Sequence, residues 1–343
     1  MSEGVAGRIS VSLLTYDGRR WIEGCLESLS NQTHPDIELI VIDNGSTDGT
    51  ADWLRERLGS IPNSTFIEAG ANTGFARGHN QGIARATGEH VCLLNQDVVL
   101  DPEFLAAAAK ALAREPQAGA VQAKVRTLLA GGVRSSTLDT TGLVLRRDRR
   151  VLSRGQGAED AGQYDDRAYV FGADGPCPVY RRAALDDARE PRGDGSWEYL
   201  DEQFFLYHED TDLAWRLRNL GWDTIYEPEA VAWHARGFTA EASNSMTAVA
   251  RHHRGTSRTA NAYAWRNRRL MIVKNDSASL LAPDLPWLVW REIASLGLMV
   301  VTDPRRLVGV RDFVVALPAA LRKRRWIQRH RRVGPSELRR WIT

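Results

Sequence analysis

At 343 residues, with 43% apolar and 26% charged side chains, the chain is long enough for two domains, or one large domain with an appendage, and too apolar to be disordered throughout. Lysine and arginine (45) nearly balance aspartate and glutamate (43), so the overall charge of +2 excludes no class of partner. The distribution says more: residues 301–343 hold twelve basic and three acidic side chains, a local +9 that leaves −7 on residues 1–300. Such a terminal block implies a solvated face or an anionic partner, nucleic acid or membrane surface. The three cysteines, Cys25, Cys92 and Cys177, show no CxxC spacing, which excludes a zinc cluster and a disulfide framework. Nothing at the N-terminus reads as a signal peptide, and the longest run without a charged residue, Ile293–Thr302, falls short of the ~20 residues that span a bilayer. The expectation is a cytoplasmic protein whose membrane contact, if any, is peripheral.

Ile9–Leu14 reads as a short strand closed by Thr15-Tyr16-Asp17, and Trp21, Ile22, Cys25, Leu26 and Leu29 then recur at helical spacing. Ile37–Ile42 is a continuous apolar run of the kind buried on both faces of a parallel sheet. Asp43–Thr47 follows as a turn, with Asp48 as the N-cap of a helix carrying Trp53, Leu54 and Leu58. A third strand near Thr65–Glu68 leads to Asn72-Thr73-Gly74 and a helix from Phe75 to about Thr87, ended by Gly88. His90–Leu94 is a fourth strand, closed by Asn95-Gln96-Asp97, and Pro102 opens an alanine-rich helix to about Arg114. Residues 126–167 predict a hairpin and a mobile loop, Ala168–Phe171 a strand, and Leu213, Leu217 and Leu220 a helix closed by Gly221. Past about residue 240 the pattern turns helical, with Trp265, Trp287, Trp290, Trp326 and Trp341, so a boundary is expected near Ala240–Thr247.

Four strand–loop–helix units in a hundred residues predict an α/β domain with a mainly parallel sheet, in which ligands bind outside the carboxyl ends of the strands. Every polar cluster falls there. Asp43 can take the imide N–H of a base, or simply close the turn of DNGS. Asn72–Gly82, with Arg77 and His79, can cradle a phosphate or merely begin a helix. Asp97 suits Mg²⁺ or Mn²⁺ completed by diphosphate oxygens, or a strand-end turn. His208-Glu209-Asp210-Thr211-Asp212 puts three acids in the first turn of a helix, more than the macrodipole alone accounts for, and Asp212 and Arg216 are spaced to pair, leaving Asp210 available. His234 gains interest if it reaches Asp97.

Taken together and in order, these pieces resemble the family 2 glycosyltransferases, inverting enzymes of the GT-A fold, over about residues 8–240. The resemblance implies an α/β, GT-A type nucleotide-sugar-binding domain (8–240) with a mainly parallel central sheet, followed by a helical, basic, tryptophan-containing region (241–343). Donor-binding positions would be Thr15, Tyr16, Asp17, Asp43, Asn44, Ser46, Asn72, Gly74, Phe75, Arg77, Asn80, Asn95 and Gln96. Asp97 and His234 would hold Mg²⁺ or Mn²⁺, and Asp210 would be the base. Asp174, His208, Glu209, Asp212 and Arg216 would serve on the acceptor side or in support. The bacterial rhamnosyltransferase-like branch is the nearest in pattern, which favours dTDP-rhamnose as donor and a glycan or lipid-linked acceptor of cell-surface polysaccharide synthesis.

With an unperturbed pKa near 3.9, Asp210 needs no shift to be ionised at neutral pH. Residues 241–343 are expected to hold the chain against anionic lipid at the inner face of the cytoplasmic membrane, through the basic stretch Leu321–Arg332, with Trp326 and Ile327 inside it, and the amphipathic anchors Trp287, Trp290 and Trp341; a homo-oligomer contact stays open as the other use. A nucleic-acid partner is not expected, because the −7 elsewhere opposes an extended basic surface. Rival readings are a non-catalytic nucleotide-sugar-binding module, a transferase using a UDP-sugar, and a processive synthase. The last would need spanning helices and a Gln-x-x-Arg-Trp motif, which the chain lacks.

Overall fold

The computed structural model describes residues 4–236, 258–302 and 308–343. The first half alternates strand and helix: β1 (Val5–Thr15), α1 (Ile22–Ser30), β2 (Ile37–Asp43), α2 (Thr50–Leu58), β3 (Ser64–Glu68), α3 (Phe75–Arg85), β4 (Gly88–Asn95), β5 (Val98–Leu100) and α4 (Phe104–Arg114). Then come β6 (Ala118–Leu129), β7 (Val133–Thr140), β8 (Leu143–Leu145), β9 (Val151–Ser153), β10 (Ala168–Val170), β11 (Val179–Arg181) and α5 (Arg182–Asp187). A short hairpin of β12 (Glu190–Pro191) and β13 (Trp197–Glu198) precedes α6 (Glu209–Asn219) and β14 (Asp223–His234).

The large sheet runs β10-β14-β6-β11-β4-β1-β2-β3. Strands β3, β2, β1 and β4 are mutually parallel. Strand β11 runs against both β4 and β6, and β14 is parallel to β6. The carboxyl ends of β1, β2, β4, β6 and β14 therefore share one edge of the sheet. The apolar run of β2 explains how the sheet is covered: Leu39 and Val41 pack with α1, α2 and α4, while Ile40 and Ile42 pack with α3 and α6. Two glycines of α3 bring that helix close, since a Cβ at Gly82 would lie 2.1 Å from Ser12 Oγ and one at Gly78 2.4 Å from Leu14. These glycines, expected to face a ligand, face β1 instead.

Other local expectations shift in the same way. The N-cap of α2 is Gly49 at φ 88°, and the Asp48 carboxylate accepts from the amides of Thr50 and Arg19. Helix α4 begins two residues after Pro102. Residues 126–167 form the β6–β7 hairpin, but the remainder is pinned rather than loose: Asp160 pairs with Lys124 and Arg126, and Thr137 bridges Glu159. The expected boundary at Ala240–Thr247 lies outside the described residues.

Beyond it, helix Arg258–Asn275 packs on α6, Val308–His330 packs on that helix and on β12, and Leu285–Thr302 is tied to Arg268 and Arg269 through Glu292. The joint is electrostatic. Lys274 Nζ lies 2.9 Å from Glu190, 2.7 Å from Asp201 and 2.8 Å from Asp212, and Lys323 Nζ pairs with Glu190, Glu198 and Asp201. All six side chains are buried. Arg216 bonds Asp212 at 3.0 Å, as the i,i+4 spacing predicts, and Asn275 bonds its other oxygen at 2.7 Å.

Candidate active site

The carboxyl edge of the sheet carries a set of loops that brace one another. Asn44 donates to Asn72 Oδ1 and to the Gly74 carbonyl, both at 3.2 Å, and accepts from Thr73. The Asp17 carboxylate accepts the Thr47 amide at 2.7 Å, and Ser46 Oγ accepts the Asp17 amide at 2.9 Å. Gln96 Oε1 accepts from Thr15 Oγ1 and from the Tyr16 amide at 2.8 Å, while its Nε2 donates to the Tyr16 carbonyl. Thr15, Asp17, Asn44, Ser46, Asn72 and Gln96 thus hold the loops in place. Asp43 is different. Its Oδ2 accepts the amides of Gly45 and Ser46, but Oδ1 is buried without a partner. An unsatisfied buried carboxylate oxygen at a strand end fits an N–H of a ligand. Tyr16 stands exposed at the same edge.

Two expected donor residues lie elsewhere. Asn80 is tied to Leu200 through both its oxygen and its nitrogen, and Arg77 lies 3.9 Å from Glu202, on the outer side of α3. Gly74 does serve the cleft. At φ 85°, it leaves room for the ring and carbonyl of Phe205, which a Cβ would meet at 2.6 Å, and the Phe75 amide donates to that carbonyl at 2.6 Å.

Asn95, Phe75, Asp174, His208, Glu209, Asp210 and His234 line one cleft of about 490 Å³. At one end His234 Nε2 lies 3.4 Å from Asp97 Oδ1, and Nδ1 lies 2.9 Å from Asp139 Oδ2. Although burial opposes it, hydrogen bonds to Asp139 and Asp97 raise the imidazole to about 9. The arrangement fits a divalent cation that would take the place of the Nε2 proton: one imidazole nitrogen beside a carboxylate, with the other nitrogen oriented by a second carboxylate. Arg236 extends the line, pairing with Asp139 and lying 3.8 Å from Asp174, which also accepts from the Ser153 hydroxyl at 2.6 Å and the Gly175 amide at 3.0 Å. Asp139 and Arg236 were not legible as site residues; a lone Asp on an exposed-looking strand and an Arg past the last strand carry no signature.

At the other end, Asp210 Oδ1 accepts the amide and hydroxyl of Thr211, and Oδ2 packs over Gly175. Burial and the nearby Asp174 push its carboxyl up to about 6, a correction to the ordinary acidity expected from sequence. Burial, and then Asp210, push Glu209 up to about 8, and Glu209 Oε2 has no partner. Of the two adjacent carboxyls, Asp210 is therefore the one that stands largely ionised at neutral pH and available to take a proton. His208 caps the helix at φ 71°, and burial lowers it to about 4, so it stays neutral. Asp212 and Arg216 point into the buried joint, not the cleft.

Among the described residues the one close group of three acidic side chains is Glu190, Glu198 and Asp201. It is not a metal centre, because the ammonium groups of Lys274 and Lys323 fill it.

A family model described as Glycosyl transferase family 2 matches residues 10–188. N-acetylglucosaminyl-diphospho-decaprenol L-rhamnosyltransferase of Mycobacterium tuberculosis is 29% identical over 250 residues, covering 65% of this chain and 74% of that protein. Poly-beta-1,6-N-acetyl-D-glucosamine synthase of Staphylococcus epidermidis is 25% identical over 225 residues, 65% of this chain and 48% of that one. Among solved structures, S. aureus TarS 1–349 aligns with a TM-score of 0.56 at 18% identity, covering 97% of this chain and 89% of that 1–349 chain. The mannosyltransferase PcManGT from Pyrobaculum calidifontis, in complex with GDP-Man and Mn²⁺, aligns with a TM-score of 0.53 at 20% identity, covering 97% and 87%. The fold they share is of the GT-A type.

Proposed function

The chain belongs to glycosyl transferase family 2, and on that premise we propose that it transfers a sugar, with inversion, from a nucleotide-diphosphate donor to a hydroxyl of a glycan or lipid-linked acceptor in cell-surface polysaccharide synthesis. The observation that supports this reading is that the carboxyl edge of the sheet carries both the unpartnered Asp43 oxygen and the Asp97–His234 pair, and that His234 and Asp210 line the same cleft. The relative named as an N-acetylglucosaminyl-diphospho-decaprenol L-rhamnosyltransferase supports rhamnose as the sugar and a polyprenyl-diphosphate glycan as the acceptor; dTDP as the carrier of that sugar is the expectation carried over from the sequence.

In this reading Asp43 Oδ1 accepts the imide N–H of the pyrimidine, and Tyr16 flanks the base. Asp97 and His234 would hold Mg²⁺ or Mn²⁺, which when bound neutralises charge on the departing diphosphate. Asp210 takes the proton of the acceptor hydroxyl as its oxygen attacks the anomeric carbon from the face opposite the leaving group. Asn95, Phe75 and Gly74 shape the donor side.

Calorimetric titration of dTDP, UDP, GDP and dTDP-rhamnose, with and without Mg²⁺, tests the donor assignment. Asp43→Asn keeps the turn but presents an N–H to the imide, so pyrimidine nucleotides should bind about 10- to 100-fold more weakly. GDP binding as tightly as dTDP would remove Asp43 from the base site. Alanine at Asp97 or His234 should weaken donor binding in Mg²⁺ and hardly alter binding of the nucleoside. Unchanged donor affinity in both variants would remove the cation from this pair.

For the membrane contact we favour the surface around Trp290, one of the expected anchors, over the interior of the basic stretch. Within Leu321–Arg332, Lys323 and Ile327 are buried, Arg324 bonds the carbonyls of Val273 and Asp276, and Trp326 packs against Trp197 and His330. No described helix is long and apolar enough to cross a membrane. Helix Leu285–Thr302, however, exposes Trp290 (69%), Ile293 (61%), Leu296, Val300 and Val301 (83%) at helical spacing with no charge among them. Arg311, Arg322, Arg325 and Arg329 are exposed on Val308–His330 and complement anionic headgroups. Trp290→Glu with Ile293→Glu should abolish flotation with anionic vesicles. Flotation equal to that of the unaltered chain would show that this face is not the anchor.

A further inference from the structure

Between the acidic helix α6 and the hairpin before it, the backbone is held in an uncommon shape. Phe205, Tyr207 and His208 adopt φ of 60°, 73° and 71°, three non-glycine residues in the left-handed region within four positions. Each such residue costs on the order of 1–3 kcal/mol and persists only where its surroundings over-determine it. What over-determines it here is one side chain from the C-terminal region. Asn267, fully buried on helix Arg258–Asn275, directs Nδ2 at the carbonyls of Phe204, Leu206 and Tyr207, at 2.7, 2.8 and 2.9 Å. Its Oδ1 accepts from Arg266 at 2.9 Å, which fixes the amide's orientation, and Arg266 also reaches the Gln203 carbonyl. On the other side the same loop meets the donor segment: the Phe205 carbonyl takes the Phe75 amide, and the Phe205 ring, seated over Gly74, stacks on Tyr263 at 5.2 Å.

We propose that Asn267 is a positioning residue for sugar transfer: by holding residues 204–208 in this shape it sets Asp210, two residues beyond the loop, against the donor segment at Gly74–Phe75. The inference rests on the base role of Asp210. It explains why a helix far along the chain carries a buried amide whose three acceptors all belong to one short loop. No other residue type supplies two N–H groups from so short a stem, so neither Asp nor Ala at 267 replaces it. The substitution acts at a distance from the nucleotide end of the cleft, and misplacement of a catalytic group by an ångström is enough to lower turnover about 10²-fold.

Asn267→Ala and Asn267→Asp, in the full chain, test this by steady-state transfer, nucleotide titration and hydrogen exchange of the 204–208 amides. The expected result is a fall in kcat of about 10²-fold, a donor KM and dTDP affinity within about threefold of the unaltered chain, and faster exchange of the loop amides. A folded variant with kcat within about threefold overturns the proposal, as does a loss of kcat matched by an equal loss of dTDP affinity. If neither variant folds, Asn267→Leu, which keeps the volume, lacks the donors and adds no buried charge, decides. The two readings fail separately. An unaltered chain that binds nucleotide and transfers nothing defeats the transferase reading. Loop amides unmoved by either variant defeat the positioning role whether or not transfer is seen.

Discussion

Asp210→Asn is expected to lower turnover by about 10²-fold or more while leaving donor affinity unchanged. The substitution keeps the oxygen that accepts from Thr211, so the start of α6 is retained, but the amide cannot take a proton from the acceptor. Because burial and Asp174 push the carboxyl up to about 6, the unaltered chain should lose turnover as pH falls through about 6, roughly tenfold per unit below it. The variant should lack that limb. The same shift fixes the sign of a stability check. A carboxyl bound more tightly by its proton in the folded state than in the unfolded one destabilises the fold as pH rises between the two affinities. At neutral pH Asp210→Asn should therefore melt no lower than the unaltered chain, which separates lost chemistry from lost structure. Glu209→Gln provides the contrast: burial keeps Glu209 largely protonated at neutral pH, so its amide should transfer at a comparable rate. A dead Glu209→Gln beside an active Asp210→Asn would exchange the two roles.

The second large effect concerns the joint between the sheet and the C-terminal helices. Lys274→Ala removes an ammonium that meets Glu190, Asp201 and Asp212, all fully or almost fully buried. Breaking a buried ion pair by deleting one partner costs about 3–5 kcal/mol, because the remaining charges are left without compensation. Against a total of about 5–15 kcal/mol, that is a large fraction, and a drop in Tm on the order of 10 °C follows. Lys274→Met should do little better, since its volume is restored but its charge is not. Adding Asp212→Asn or Asp201→Asn to it should recover part of the loss. A Lys274→Ala variant within about 1 kcal/mol of the unaltered chain in denaturant titration would show that Lys323 and Arg216 alone balance the cluster. The same charges bear on how the chain divides. A fragment ending near residue 240 keeps four buried carboxylates and loses both lysines, so we expect it to be insoluble, although sequence composition marks that point as a boundary.

The parallel half of the sheet was legible because its signals are local: apolar runs of strand length, each followed by polar residues and a helical stripe. The i,i+4 pair of Asp212 and Arg216 and the left-handed Gly221 followed from spacing alone. The site was legible as a set of positions, less so as a set of roles. Thr15, Asn44, Asn72 and Gln96 stand where a ligand's loops should be, yet their side chains brace those loops, and only contacts thirty to eighty residues apart reveal it. Asp43 is singled out by an oxygen that nothing else reaches, a property of the packing and not of the turn sequence. The acidity of Asp210 depends on Asp174, and the shape of its loop on Asn267, 36 and 57 residues away respectively. The basic tail misled for the converse reason: charge patterning cannot show that Lys323 turns inward to three of a buried cluster's four acids while the apolar face lies on the preceding helix.

The most direct test of the account is transfer itself, with the product's anomeric configuration read by NMR. The purified full chain would be supplied with dTDP-rhamnose or UDP-GlcNAc, Mg²⁺, and a short-chain polyprenyl-diphosphate glycan as acceptor. The account predicts one glycoside, of configuration opposite to that of the donor, formed from the dTDP-sugar, lost in Asp210→Asn and weakened by chelation of the cation. A glycoside that retains the donor's configuration, or undiminished transfer by Asp210→Asn, would contradict it.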